Sequence, residues 1–174
     1  GIFLESGGTS TDISAVRDGR VMARGGELGG HKLYLRSLDV RTLGVAGGSM
    51  IRVAEGKIAD AGPRSAHIAG LSYEAFAAPL ESPELELLSP CADDAPVFAV
   101  LRGKDGRRVA LTLAGAANLL GLVPEGDYAQ SGNLGAVRAA WEVFGKALGV
   151  TAEEAARQAM DLATGKVSAV VEGL

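Results

Sequence analysis

A short stretch near the amino terminus combines glycines, hydroxyl groups and carboxylates in an order that suits phosphate binding. It reads Glu5-Ser6-Gly7-Gly8-Thr9-Ser10-Thr11-Asp12 and lies between two strand-like segments. Glycines allow backbone N–H groups to converge on an anion, because no Cβ stands in the way. We therefore predict a cofactor-binding loop that consists of Gly7, Gly8, Thr9, Ser10 and Thr11.

Two carboxylates border this loop, Glu5 before it and Asp12 after it. Mg2+ prefers oxygen ligands and commonly binds through one or two carboxylates together with substrate phosphates. We predict that both residues are metal ligands and catalytic residues. Glu5 would hold Mg2+ through water or orient an attacking water, and Asp12 would face the metal or brace the turn. The alternative is that the double glycine is only the turn of a β-hairpin.

A second glycine loop, Gly44-Val45-Ala46-Gly47-Gly48-Ser49, follows a strand-like segment that holds Asp39. It predicts further cofactor-binding groups, namely the backbone N–H groups of Gly47 and Gly48 and the hydroxyl of Ser49. Asp39 is a candidate catalytic residue, as a general base or a metal ligand. The alternative is a glycine turn between two strands, with Asp39 as a solvated carboxylate.

Composition and charge narrow the class of protein. The 174 residues are enough for one domain, and no apolar run approaches the roughly 20 residues that a bilayer span needs. The net charge of −4 argues against a nucleic-acid surface, and the single cysteine, Cys91, suits a reducing compartment. We expect a cytoplasmic protein with neither a nucleic-acid nor a membrane partner. His31 and His67 are isolated in sequence, which favours surface or structural roles over substrate contact.

The elements that must position these loops are mostly short strands followed by helices. Alternation predicts an antiparallel meander over residues 2–23, further strands at 32–36, 40–43 and 50–53, and a turn at 55–57. Five of the six prolines lie in 62–96, which predicts a loop-rich connection of loops and short pieces. A hairpin over 97–111 then leads into a helical half at 113–174. There we expect a short helix at 113–120, a helix capped by Asn133 and a last helix with a Thr151 capping box.

Several of these motifs resemble the core domain of the hydantoinase A/5-oxoprolinase family. The resemblance is strongest over residues 1–70 and rests on six stretches: Gly7 to Ser14, Arg17-Asp18-Gly19-Arg20, Gly29-Gly30, Leu38 to Thr42, Gly44 to Ser49, and Gly62-Pro63-Arg64-Ser65-Ala66. It implies an α/β, ribonuclease-H-like fold, as in the actin, Hsp70 and sugar-kinase ATPases, with a mixed sheet, an antiparallel meander and C-terminal helices. Residues 7–12 would then match the second phosphate loop of that fold.

The same resemblance implies a function. Members use ATP and Mg2+ to activate the carbonyl of a cyclic amide or imide, of the hydantoin or 5-oxoproline type, before ring opening; others activate ketones for carboxylation. We expect residues 1–174 to be one incomplete core domain that works with the remaining domains of its protein and with a hydantoinase B-like subunit. The remaining domains would hold the first phosphate loop and the adenosine loop. The isolated piece is expected to be inactive. The alternatives are a non-hydrolytic ATPase, kinase or reactivating protein of the same fold, and a non-catalytic partner-binding module.

Overall fold

The computed structural model describes all residues, from Gly1 to Leu174. It is a mixed α/β structure of twelve strands followed by three helices. The elements are β1 (Ile2–Ser6), β2 (Thr11–Arg17), β3 (Arg20–Val21), β4 (Ala23–Leu28), β5 (His31–Leu38), β6 (Val40–Leu43), β7 (Ser49–Ala54), β8 (Lys57–Ser65), β9 (Ser72–Tyr73), β10 (Glu84–Leu88), β11 (Phe98–Arg102), β12 (Arg108–Ala110), α1 (Leu113–Leu119), α2 (Leu134–Leu148) and α3 (Ala152–Glu172). None of the helices is long and apolar enough to cross a membrane.

The first sheet is antiparallel and carries both glycine loops at one end. Strand β2 pairs with β1 along one edge and with β6 along the other, and β3 extends the hairpin at the far end of β2. The loop at residues 7–10 joins β1 to β2, and the loop at 44–48 follows β6. Since Thr11 of β2 is opposite both Ser6 and Leu43, the two loops emerge side by side.

The second sheet has six strands and supports the helices. Its order is β8-β7-β11-β12-β9, with β10 added on β11. All of its pairings are antiparallel except that of β12 with β9, which is parallel. Strand β11 is buried over four of its five residues, as expected of a central strand. The separate hairpin of β4 and β5 is exposed along almost its whole length.

The three helices bury one face against the second sheet. Trp141 and Phe144 of α2 are fully buried and meet edge to face, with ring centroids 5.5 Å apart. The helix boundaries follow the predicted signals. Asn133 caps α2, left-handed Gly149 ends it, and Thr151 and Glu154 form a capping box at the start of α3.

Residues 62–96 contain strand segments that the sequence analysis did not assign. Strand β8 continues to Ser65, and β10 pairs with β11 over five consecutive residues. Pro83 and Pro90 flank β10 and interrupt no ladder position within it. The alternation of Glu84-Leu85-Glu86-Leu87 is the strand signal that the proline count obscured.

Candidate phosphate-binding site

The first glycine loop presents backbone N–H groups that have no partner within the chain. A tight turn is closed by the Gly7 amide, which donates to the Ser10 carbonyl at 3.0 Å. The next three amides, those of Gly8, Thr9 and Ser10, donate no hydrogen bond to any atom of the protein. Consecutive free N–H groups at a turn form a concave anion-binding nest. These three amides are therefore the candidate phosphate contacts of the loop.

The second glycine loop braces the first loop from behind. The amide of Gly47 donates to the Gly7 carbonyl at 3.2 Å, and the amide of Gly48 donates to the Gly8 carbonyl at 2.8 Å. These two amides were predicted to bind cofactor, whereas in this arrangement they already have partners in the first loop. Ser49, predicted with them, is fully buried, and its hydroxyl accepts a hydrogen bond from the Ala46 amide at 2.9 Å. The second loop therefore holds the nest in shape.

The hydroxyl groups of the first loop are also tied to the body of the protein. Thr9 Oγ1 lies 3.1 Å from the Oγ of Ser65, at the end of β8. Thr11 Oγ1 donates to the carbonyl of Val45 at 2.5 Å and lies 2.9 Å from the hydroxyl of Ser6. These contacts link the first loop to β8 and to the second loop.

The two predicted metal-binding carboxylates are brought together. Glu5 and Asp12 are direct cross-strand partners one step behind the loop. Directly opposite residues have Cβ atoms roughly 5 Å apart on the same face of a sheet. Asp12 accepts a hydrogen bond from the hydroxyl of Thr42 at 2.5 Å, and Glu5 is exposed. No group of three or more His, Cys, Asp or Glu side chains is arranged to hold a metal ion.

Asp39 lies apart from the loops. It stands between β5 and β6 rather than inside a strand, and β6 separates it from the second glycine loop by roughly 15 Å of extended chain. Its carboxylate is 3.3 Å from the guanidinium of Arg24 and 3.8 Å from that of Arg41. The structure thus gives Asp39 an ion-pairing position and does not group it with Glu5 and Asp12. Both histidines, His31 and His67, are exposed.

Tyr73 is a residue of this site that the sequence analysis missed. Its hydroxyl lies against both glycine loops: a Cβ on Gly8 would be 3.1 Å from the hydroxyl oxygen, and a Cβ on Gly48 would collide with it. The ring packs 5.8 Å from that of Phe76 and against the smaller buried cluster around Met50. Nothing local in the sequence points to Tyr73, because the loops it contacts are distant along the chain.

Glu74, the next residue, is a buried carboxylate inside the core. Its Oε1 accepts hydrogen bonds from the Thr112 amide and the Trp141 indole, both at 3.0 Å, and its Oε2 accepts one from the Thr112 hydroxyl at 2.8 Å. Burial raises the pKa of Glu74 from 4.5 to about 7, and these hydrogen bonds limit the rise. Thr112 is the N-cap of α1, so Glu74 ties the Tyr73 segment to the helical layer.

An apolar cleft of about 340 Å³ opens beside the loops. One wall belongs to the loop region and the other to the helices α1 and α3. It is lined by residues that include Ser6, Thr11, Val45, Ala114, Met160 and Val167. No charged side chain lines the cleft, so it suits an uncharged group.

Comparisons with known proteins place this geometry in context. A sequence profile described as Hydantoinase/oxoprolinase matches residues 1–174, which is the whole chain. Among solved structures, this chain is similar to the nucleotide-free structure of acetone carboxylase, with a TM-score of 0.53 and 18% sequence identity. That structure comes from work on the mechanism of ATP-dependent acetone carboxylation. That match covers 88% of this chain and 18% of acetone carboxylase, and at this identity it concerns the fold alone. No curated protein gives a significant match.

Proposed function

This chain belongs to the hydantoinase/oxoprolinase family, and from that premise we propose that its protein uses ATP to open the ring of a cyclic amide or imide. The substrate would be of the hydantoin or 5-oxoproline type, and the bond broken a C–N bond. Because the chain spans 18% of the length of acetone carboxylase, the activity is proposed for the protein that contains these residues.

The observation that carries this proposal is the run of free amides at Gly8, Thr9 and Ser10. The loop is exposed or half-buried, so these N–H groups are open to solvent, and together they would bind the non-bridging oxygens of a phosphate. The glycine at position 8 leaves the approach open. We assign this loop to a phosphate of the nucleotide.

Glu5 and Asp12 are the residues that would hold Mg2+. Their oxygens suit this hard cation, and two carboxylates match the number that Mg2+ commonly takes from protein when phosphate and water complete its shell. Asp12 is oriented by Thr42, which leaves its second oxygen available. Glu5 is exposed and can reach the cation directly or through water.

The bound nucleotide would supply a phosphoryl group that turns an amide carbonyl into a better electrophile. The chain's own contribution is to bind and to orient. The nest would fix the phosphate, the two carboxylates would neutralise it through the cation, and Glu5 would orient an attacking water. The apolar cleft beside the loops would hold an uncharged ring and keep water away from it.

We also propose that the two sheets and the helices form part of a ribonuclease-H-like ATPase fold. The antiparallel β1-β2-β6 sheet with a glycine turn between β1 and β2 supports this assignment. In this view residues 1–174 are a core domain that acts with other domains of its protein and with a hydantoinase B-like subunit. The proposed place of action is the cytoplasm.

The test is phosphate release from ATP by the full-length protein with a panel of hydantoins, lactams and ketones. The proposal predicts that a hydantoin or lactam stimulates phosphate release and yields the ring-opened acid in equal amount. ATP turnover that no panel member changes would argue for an ATPase or kinase of the same fold that does not hydrolyse a cyclic amide. Absence of both ATP binding and turnover would leave a partner-binding module, in which the glycines serve only as turns.

A second candidate is ATP-dependent carboxylation of a ketone, and the similarity of the fold to acetone carboxylase favours including it. The same nest would bind phosphate, and the cleft would take a small ketone as readily as a cyclic amide. The two candidates differ in their need for bicarbonate. Phosphate release that requires a ketone together with bicarbonate would select carboxylation.

A further inference from the structure

Tyr73 is held rigidly by its backbone and by its ring. Its strand β9 pairs with β12, where Tyr73 stands opposite Ala110, and its carbonyl accepts hydrogen bonds from the amides of Phe76 and Ala77 at 3.1 and 3.0 Å. The neighbouring Glu74 is anchored in the core by three hydrogen bonds. These contacts anchor the Tyr73 segment, and the hydroxyl lies at the junction of the two glycine loops.

That hydroxyl has no hydrogen-bond partner within the chain, although the side chain is only partly exposed. The hydroxyl oxygen is not among the fully buried polar atoms that lack a partner, so it reaches solvent and is free to donate to a ligand. Burial and the nearby Glu74 carboxylate raise the pKa of Tyr73 above its ordinary value of 10, so the group remains protonated and can donate. Ring packing alone would be served equally well by phenylalanine.

The glycines of both loops accommodate this hydroxyl. A Cβ at Gly48 would overlap the Tyr73 oxygen, and one at Gly8 would come within 3.1 Å of it. Gly8 is also the first of the three free amides. The Tyr73 hydroxyl oxygen therefore lies close to the Gly8 backbone, where the run of free amides begins.

We propose that Tyr73 is a phosphate-binding residue, whose hydroxyl donates a hydrogen bond to an oxygen of the phosphate held by the amides of Gly8, Thr9 and Ser10. The inference rests on the proposed function and adds a donor from a third segment of the chain, β9, to the nest. Its partner is anionic, so the bond is of the strong, charge-assisted kind.

The experiment compares binding of a non-hydrolysable ATP analogue, AMP-PNP with Mg2+, to full-length wild-type protein, Tyr73→Phe and Tyr34→Phe. Tyr34 lies fully exposed on β5 and serves as the matched control. A hydrogen bond to a charged group predicts a Kd about 10- to 100-fold higher for Tyr73→Phe. The control variant should bind like wild type.

The outcomes separate this inference from the function on which it rests. Wild type that binds AMP-PNP and Tyr73→Phe that binds it equally well would overturn the role of Tyr73 and leave the proposed function standing. Wild type that binds no AMP-PNP would overturn both. If Tyr73→Phe proves unstable, 3-fluorotyrosine placed at position 73 alone replaces it: its 19F resonance must shift on adding AMP-PNP, and an unchanged resonance would reject the inference.

Discussion

The hydroxyl oxygen of Tyr73 occupies the space in which a Cβ on Gly48 would lie. The amide of the same Gly48 donates a hydrogen bond to the carbonyl of Gly8. One glycine thus leaves room for the Tyr73 hydroxyl and also binds the first loop. The packing of the two glycine loops thus involves a residue outside both of them.

Gly48→Ala is predicted to destabilise the protein, because the added Cβ would strike both the Tyr73 hydroxyl and the backbone carbonyl of Gly8. Overpacking of this kind costs about 1–3 kcal/mol of unfolding free energy. Denaturant unfolding measures it, with Gly25→Ala as the control, since no atom lies within 4 Å of a Cβ placed there. Equal stability of the two variants would show that the loops are not clamped as described.

Glu74 is predicted to make stability fall as pH rises. Its pKa is raised from 4.5 to about 7, so between these values the folded protein keeps a proton that the unfolded chain has lost. Because the folded state then binds more protons, the free energy of unfolding decreases with pH over this window. The decrease approaches about 3 kcal/mol above pH 7 and is absent below pH 4.5.

Glu74→Gln isolates this effect, since glutamine keeps the shape of the side chain and does not titrate. The unfolding free energy of wild type minus that of the variant is measured from pH 4.5 to 8. This difference should decrease as pH rises. All other carboxylates cancel in that difference. Two curves that stay parallel over the whole range would mean that Glu74 does not bind a proton in the folded state.

Glu5 is predicted to contribute to Mg2+ binding. Glu5→Ala leaves Asp12 as the single carboxylate at the end of the β1–β2 hairpin, so the Mg2+ concentration for half-maximal ATP turnover should rise about tenfold, equivalent to roughly 1.4 kcal/mol. Mg2+ titration of phosphate release measures this. Glu27→Ala, on the exposed β4–β5 hairpin, is the matched control. An unchanged Mg2+ requirement in Glu5→Ala would remove Glu5 from the metal site.

Local sequence signals predicted much of the fold. The caps at Asn133 and Thr151 were predicted because a cap depends on residues only three positions away. The β1–β2 hairpin and its free amides were anticipated for the same reason, since Gly7 and Gly8 set the turn themselves.

Long-range contacts explain what the sequence did not reveal. The clamp between Gly48 and Gly8, and the positions of Tyr73 and Glu74, arise from pairing between segments far apart in the chain, which no local pattern encodes. Asp39 shows the converse. A carboxylate just before a glycine loop suggested catalysis, yet the strand between them places it beside Arg24. Its predicted catalytic role remains a prediction without support from the geometry.

The central claim is that Gly7 to Asp12 form the phosphate and metal end of an ATP-dependent ring-opening site. It is tested most directly by substrate-stimulated phosphate release in Asp12→Asn, with Asp18→Asn as the control. Asp18 lies beyond the opposite end of β2, in the β2–β3 turn. The account predicts that Asp12→Asn loses at least about 100-fold of this activity, as for a residue that stabilises transition-state charge, while Asp18→Asn keeps it. Activity of folded Asp12→Asn equal to that of wild type would contradict the account.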